Sequence, residues 1–415
     1  MRRGGSAALV VVAVGVFLGC WMLLHHGTLG RAQLTDTGTY SSYGDQIAQG
    51  AVPYRDFRLE YPPGALPMFV LPALGHEGDQ AAFDRWFERL MALCGSLAIV
   101  GAALALRALG AGAMRSTAAL GLMAVSPLLL GSVVLTRFDL WPVALVAFAV
   151  AALFWERLVA AALLLGVAIA AKLWPAVLAP LAIIWIARTR GPRAAAAWAA
   201  GVVAVDAACF LPFAVLSPAG LGASFHAQLA RPLQLESLGG AVLIAVHHVF
   251  GTGLRVVSSY GSQNPAGSGV HALGIASTVL TVVSVVTVWV LFARGPATVA
   301  RLAAHSAAAV AALLAFGKVF SPQYLIWLVA LVPLVRGRRG VVAGAVYAVA
   351  LGLTQSYFPR HYWALAIRLA PTQSWLLLVR DLAVVALLGV LAWPGTEREA
   401  HGGGRARLAA LERMR

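Results

Sequence analysis

A chain of 415 residues that is 60% hydrophobic and 11% charged, with a mean hydropathy of +0.82, is too apolar for a soluble domain and has the composition of a polytopic membrane protein. Its net charge of +15 would suggest nucleic acid in a soluble protein, but the Lys and Arg residues sit in short stretches between apolar runs. Positive-inside topology explains them better, and no nucleic-acid partner is expected.

The first apolar run follows Arg2-Arg3 and extends to Leu24. It resembles a signal sequence but has no Ala-x-Ala cleavage site, so it is read as a retained first span. Spans are predicted in chain order over roughly 6–24, 84–107, 116–134, 139–155, 158–172, 174–187, 194–213, 271–293, 297–317, 323–335, 340–357 and 374–392. The runs are long, Ala/Leu/Val-rich and unbroken, so they read as helices rather than barrel strands. The expected fold is all-α, a polytopic helical bundle of about twelve transmembrane helices. Cys20, Cys94 and Cys209 all fall inside these runs, which indicates neither a disulfide framework nor a zinc site.

With the N-terminus in the cytoplasm, Arg107/Arg115, Arg157, Arg188/Arg190/Arg193, Arg294/Arg301, Arg336/Arg338/Arg339 and the tail arginines Arg405, Arg407, Arg413 and Arg415 share one side. This divides the chain into a transmembrane domain over 1–392 and a basic cytoplasmic tail over 393–415. The outer face receives a first loop over 25–83, the turns at Arg137, Lys172 and Lys318, a flap over 217–270 and the stretch 355–373. Residues 62–75 are apolar, begin Pro-Pro-Gly, and are too short to cross the bilayer; they are expected as a helix at the outer interface. Within the flap, 225–249 reads as one amphipathic stretch with His226, Arg231, Glu236 and His247-His248, and 258–269 as a Gly/Ser/Asn/Pro loop. No internal repeat, glycine-rich phosphate loop or dinucleotide fingerprint is present.

Most of the ordered acidic and aromatic chemistry lies in the first loop: Asp36-Thr37-Gly38-Thr39-Tyr40, Pro53-Tyr54-Arg55-Asp56-Phe57 and Glu60-Tyr61-Pro62-Pro63-Gly64. Asp36 stands a short way beyond the first span, where a carboxylate can accept a proton from an attacking hydroxyl; a solvated loop acid or a helix N-cap fits the position equally. Lys172, in Ala171-Lys172-Leu173-Trp174-Pro175, is a cation at the end of an apolar run and is either paired or snorkelling. Arg137 and Asp139, in Arg137-Phe138-Asp139, form either an ion pair with each other or a phosphate clamp with an orienting acid. Lys318, Ser321, Gln323 and Tyr324 make a polar helix entry of the kind that lines cavities, and His361 lies in an interfacial belt. Asp206 and the pair Arg380-Asp381 fall inside spans; Arg380 and Asp381 read as a structural pair.

The order of these motifs resembles the bacterial polyprenol-phosphate-mannose-dependent glycosyltransferases of the GT-C superfamily, nearest to glycosyltransferase family 87. The likeness runs from about Leu24 to Leu328: an acid after span one, Gly50-x-x-Pro53-Tyr54-x-Asp56-Phe57-x-x-Glu60-Tyr61-Pro62-Pro63-Gly64, Arg137-Phe138-Asp139, Lys172-Leu173-Trp174-Pro175 and Ser321-Pro322-Gln323-Tyr324. It implies a GT-C-type bundle with extracytoplasmic interfacial helices in a bacterial-type plasma membrane. The implied reaction moves a sugar, most often mannose, with inversion from a polyprenyl phosphate to a glycolipid or glycan acceptor.

By the same resemblance Asp36 is the general base, Lys172 with Arg137 and Lys318 stabilises the departing phosphate, and the Tyr61 entry fixes the floor of the site. Tyr40, Tyr54, Asp56, Glu60, Asp139, Gln323, Tyr324 and His361 are the remaining implied substrate contacts. No second acid adjoins Asp36, which weakens an argument for metal; no cofactor is expected, the lipid-linked sugar being a substrate. A lipid or solute transporter is the rival from another class, but no repeated half or midplane broken helix supports it. A glycan ligase or polymerase is the nearer enzymatic rival; its usual long outer loop lies late in the chain.

Overall fold

A computed structural model describes residues 3–30 and 34–393. The tail arginines Arg405, Arg407, Arg413 and Arg415 lie outside the described residues. The fold is all-helical apart from one antiparallel hairpin, Arg255–Ser259 with Ser262–Ala266. Among the described residues, seven helices are long and apolar enough to cross a membrane: Gln80–Ala108, Ala113–Leu130, Pro192–Leu216, Val270–Arg294, Val299–Phe316, Gly337–Tyr357 and Pro371–Ala392. Of the other predicted spans, the first is the helix Arg3–Leu23, and the rest are shorter: Leu140–Phe154, Leu158–Ala171, Ala179–Arg190 after the 3-10 turn Trp174–Leu178, and the 3-10 turns Pro322–Leu328 and Val332–Leu334. Proline near the start of several of these helices explains their late entry, since it cannot donate to a preceding turn.

Local sequence sets the helix ends and the close approaches. Asp79 caps the 29-residue helix Gln80–Ala108, its Oδ1 accepting from Ala82 N at 2.9 Å. That helix lies against Leu140–Phe154, where a Cβ on Gly101 would stand 2.9 Å from the Ala147 Cβ. Val299–Phe316 is buried almost all round, and its many alanines let neighbouring backbones pack closely.

The basic residues tie helix ends together. Arg115 Nη2 donates to Leu334 O at 2.6 Å, Arg188 Nη1 to Ala293 O at 3.0 Å, and Arg339 Nε to Val390 O at 2.9 Å, while Arg190 pairs with Glu156. The helix Leu158–Ala171 starts beside Arg157 at this end and delivers Lys172 at the other. The bundle therefore has one arginine-rich end and one end that gathers the loops.

At the loop end two expectations change. The apolar stretch over 62–75 is a 3-10 turn, Pro63–Ala65, followed by a seven-residue helix, Pro67–Ala73. The stretch over 225–249 is broken, because Pro232 follows the helix Pro218–Leu229 and the next helix starts at Leu238, capped by Ser237. The segment between them, residues 230–237, runs inward and is the more important part of the flap.

Candidate active site

A cavity of about 350 Å³ opens at the loop end, between the helix Thr37–Ala48, the Tyr61–Pro62 turn, the start of the 3-10 turn Trp174–Leu178, the helix Pro218–Leu229, the hairpin tip and the entry at Ser321. Of the residues singled out in the sequence, Asp36, Tyr40, Tyr54, Glu60, Tyr61, Lys172, Gln323 and Tyr324 line it. These come from four separate stretches of the chain.

Asp36 occupies the N-cap position of Thr37–Ala48 but does not cap it. Thr35 does so instead, its Oγ1 accepting from Thr37 N at 3.0 Å. The freed Asp36 carboxylate turns toward Arg137, whose Nε stands 3.1 Å from Oδ2. Tyr40, one helical turn on, directs its hydroxyl to the same oxygen at 3.5 Å. Both contacts fall on Oδ2, and the Asp36 side chain lines the cavity. Burial above all pushes the Tyr40 and Tyr61 phenols well above their usual range, so both stay protonated and Tyr40 donates.

Arg137 and Asp139 do not pair with each other. Two residues apart, they leave the turn in different directions. Arg137 goes to Asp36, while Asp139 accepts from Lys172 Nζ at 2.6 Å and from Trp327 Nε1 at 2.6 Å. Lys172 is therefore neither snorkelling nor free; Asp139 is wholly buried beneath it and only 15% of the lysine side chain is exposed. Phe138, between the two charged residues, lies 4.6 Å under the Lys172 ammonium, with Tyr324 at 5.5 Å and Trp327 at 5.6 Å. Trp174, Trp327 and Tyr324 form a stacked aromatic wall at 5.3 and 4.2 Å.

The Pro62-Pro63-Gly64 turn fixes the height of Lys172. A Cβ on Gly64 would come within 2.5 Å of the Ala170 backbone carbon, and the Gly64 carbonyl accepts from Trp141 Nε1 at 3.1 Å. Only glycine lets the turn lie on the end of the helix that carries Lys172. Beside it the Tyr54 hydroxyl donates to Tyr61 O at 2.6 Å, and the Ser217 hydroxyl to Tyr54 O at 3.0 Å, which joins the first loop to the helix Pro218–Leu229.

Four singled-out residues besides Arg137 are not on the cavity wall. Asp139 supports it from behind. Asp56 is exposed and closes its own turn, accepting from Arg55 and from Val52 N at 2.7 Å, contacts that hold its carboxyl down at about 2. His361 is exposed at the start of the helix Tyr362–Arg368. Lys318 donates to Leu229 O at 2.7 Å; burial, then the neighbouring Arg231, pushes its ammonium pKa down.

Sequence reasoning placed Arg231 and Glu236 in an amphipathic flap but did not assign residues 230–237 to the cavity wall. Arg231 lines the cavity. Behind it, Gln234 accepts from Phe320 N at 2.9 Å and donates to Ser321 Oγ at 3.2 Å and Glu236 Oε2 at 3.2 Å. Tyr357 donates to Glu236 Oε1 at 3.3 Å, and Arg380 Nη2 to the Glu236 carbonyl at 2.8 Å. Arg380 is also ion-paired to Asp381 at 3.0 Å, as its sequence neighbour suggested. The polar residues Arg231, Gln234 and Glu236 bracketing Pro232 were the available signal. Trp327 was equally missed, though it lies one helical turn beyond Gln323-Tyr324.

The segment from Leu59 to Pro322, more than half of the chain, matches glycosyltransferase family 87. The chain belongs to that family. It is thus a glycosyltransferase, with the helical, multi-pass character that the GT-C type has. No curated protein matches it. The family 87 match takes in Glu60, Tyr61, Arg137, Asp139, Lys172 and Lys318; Asp36, Tyr40, Tyr54 and Asp56 precede it, and Gln323, Tyr324 and His361 follow. Among the described residues of this family 87 transferase, no three His, Cys, Asp or Glu side chains converge as metal ligands would.

Proposed function

We propose that this family 87 enzyme transfers a sugar, most often mannose within its resembled class, from a polyprenyl phosphate to a cell-envelope glycolipid or glycan, with inversion. The supporting observation is the Asp36 carboxylate, held on Oδ2 by Arg137 and Tyr40 and facing a cavity shared with Lys172. In this reading Asp36 Oδ1 takes the proton of the acceptor hydroxyl as its oxygen attacks the anomeric carbon. The bond from that carbon to the phosphate oxygen breaks on the opposite face, and the polyprenyl phosphate leaves with the electron pair. Lys172 uses one of its three donors on Asp139 and offers the others to substrate. The stacked wall of Trp174, Trp327 and Tyr324 takes the apolar face of a sugar ring.

The same reading sets the organisation. The helical bundle over 1–392 crosses the membrane many times, the arginine-rich end faces the cytoplasm with the tail over 393–415, and the cavity opens on the extracytoplasmic side. The first loop over 25–83 carries the base, and the flap over 217–270 covers the cavity. No step of this reading calls on a metal or other cofactor.

The test is transfer from labelled polyprenyl-phosphate-mannose in membranes carrying wild type or Asp36→Asn at equal expression. The variant is expected to insert normally and to lose about 10²–10⁴-fold of the rate. Equal transfer by both removes Asp36 as base; no transfer by either, with other lipid-linked sugars also tried, sinks the reaction class proposed for this chain.

A further inference from the structure

Counting charges around the cavity shows what remains for a substrate. Arg137 is matched by Asp36 and Lys172 by Asp139. Among the described residues, one cation on the wall has no carboxylate: Arg231 makes no ion pair and no hydrogen bond, and its Nε is buried without a partner. A buried donor left unmatched is costly in a packed protein unless a ligand supplies the acceptor. Its neighbour Lys318 adds a second positive charge that no acid offsets, spending one donor on Leu229 O.

The backbone holds Arg231 firmly in this position. Gln234 N donates to Lys318 O at 2.8 Å and Leu235 N to Gln263 O at 3.0 Å, so the segment carrying Arg231 is stitched to the Ser321 entry and to the hairpin. Pro232 follows directly and limits the local backbone. A planar guanidinium on a fixed strut, facing a cavity whose other cations are already neutralised, suits bidentate contact with a phosphate monoanion or diester.

We infer that Arg231 is the phosphate-binding residue of this cavity, taking the phosphate of the lipid-linked donor, with Lys172 held by Asp139 for the reacting side. The inference rests on the lipid-phosphate donor proposed above. Its experiment reads binding rather than transfer: polyprenyl phosphate and uncharged polyprenol are titrated against purified full-length protein in nanodiscs of zwitterionic lipid. Wild type is expected to prefer the phosphate, and Arg231→Gln to bind it about 10- to 100-fold more weakly with polyprenol binding unchanged. Arg231→Lys, which keeps charge but not the fork, falls between them.

Unchanged phosphate affinity in Arg231→Gln overturns the assignment and leaves the donor class standing; no preference for phosphate in wild type overturns the donor class itself. A second measurement needs no variant. Polyprenyl phosphate is expected to protect Arg231 from phenylglyoxal, read by peptide mass, where polyprenol and equimolar inorganic phosphate do not. Equal protection by inorganic phosphate would instead make this a site for free phosphate and refute the lipid assignment.

Discussion

Asp139→Asn tests the idea that a buried acid holds Lys172 in place. The change keeps the side-chain shape and an oxygen for Trp327 Nε1, but removes the charge 2.6 Å from Lys172 Nζ. Asp139 is wholly buried and the lysine side chain 15% exposed, so the stranded ammonium cannot fully rehydrate. Breaking one side of such a pair costs about 3–5 kcal/mol, and the lower figure, about 3 kcal/mol, suits a lysine with some access to water. Removing both charges in Asp139→Asn/Lys172→Met leaves no stranded ammonium, only a neutral amide beside an apolar side chain against Phe138 and Trp327, and is expected to recover most of the lost stability. The assay is unfolding of the detergent-solubilised protein for wild type, both single variants and the double variant, with sugar transfer measured on each. Transfer should stay lost in the double variant although stability returns. A double variant no more stable than Asp139→Asn would refute the pairing argument, and one that transfers at the wild-type rate would remove Lys172 from the reaction.

Other outcomes follow from single contacts. Gly64→Val should abolish transfer and lower the yield of folded protein, because its Cβ would meet the Ala170 and Ala171 backbone within 2.6 Å; membrane yield and transfer together check this. Tyr54→Phe removes the hydroxyl that donates to Tyr61 O and should lower stability by about 1 kcal/mol in an unfolding assay, with the rings still packed on Phe213. Burial pushes the Glu236 carboxyl up from 4.5 to about 7. Because the folded state binds that proton more tightly, the stability it contributes is complete below about pH 4.5 and is lost as pH rises through about 7. Glu236→Gln should flatten that part of the stability–pH profile, and an unchanged slope would count against the assignment.

The apolar pattern made the bundle legible, because a span is selected by its contact with lipid and that contact is a property of consecutive residues. The lengths were less legible. The run over 174–187 is the 3-10 turn Trp174–Leu178 before the short helix Ala179–Arg190, and the run over 323–335 is two 3-10 turns, each with proline near its start, yet a hydropathy reading counts both runs as full spans. The first loop could be read as the functional face because Asp36, Tyr40, Glu60 and Tyr61 are close in sequence and fold back on one another within it.

Pairing across the bundle could not be read in the same way. Arg137 and Asp139 invite each other on paper, yet neighbours at i and i+2 point apart, and each found a stronger partner from another stretch: Asp36 for the arginine, Lys172 for the acid. That exchange has a chemical consequence. One tripeptide, Arg137-Phe138-Asp139, positions the acid of the cavity with its first residue and the lysine with its third, while its middle ring packs against Tyr61 at 4.9 Å and under the ammonium. The two groups are thus set relative to each other by a single rigid turn rather than by two mobile loops, which is the preorganisation a displacement with an attacking and a departing oxygen requires. It also neutralises both inner charges before substrate arrives. With the lipid-phosphate donor proposed above, the phosphate would meet its unmatched cation on the wall formed by residues 230–237, where Arg231 has no carboxylate partner among the described residues.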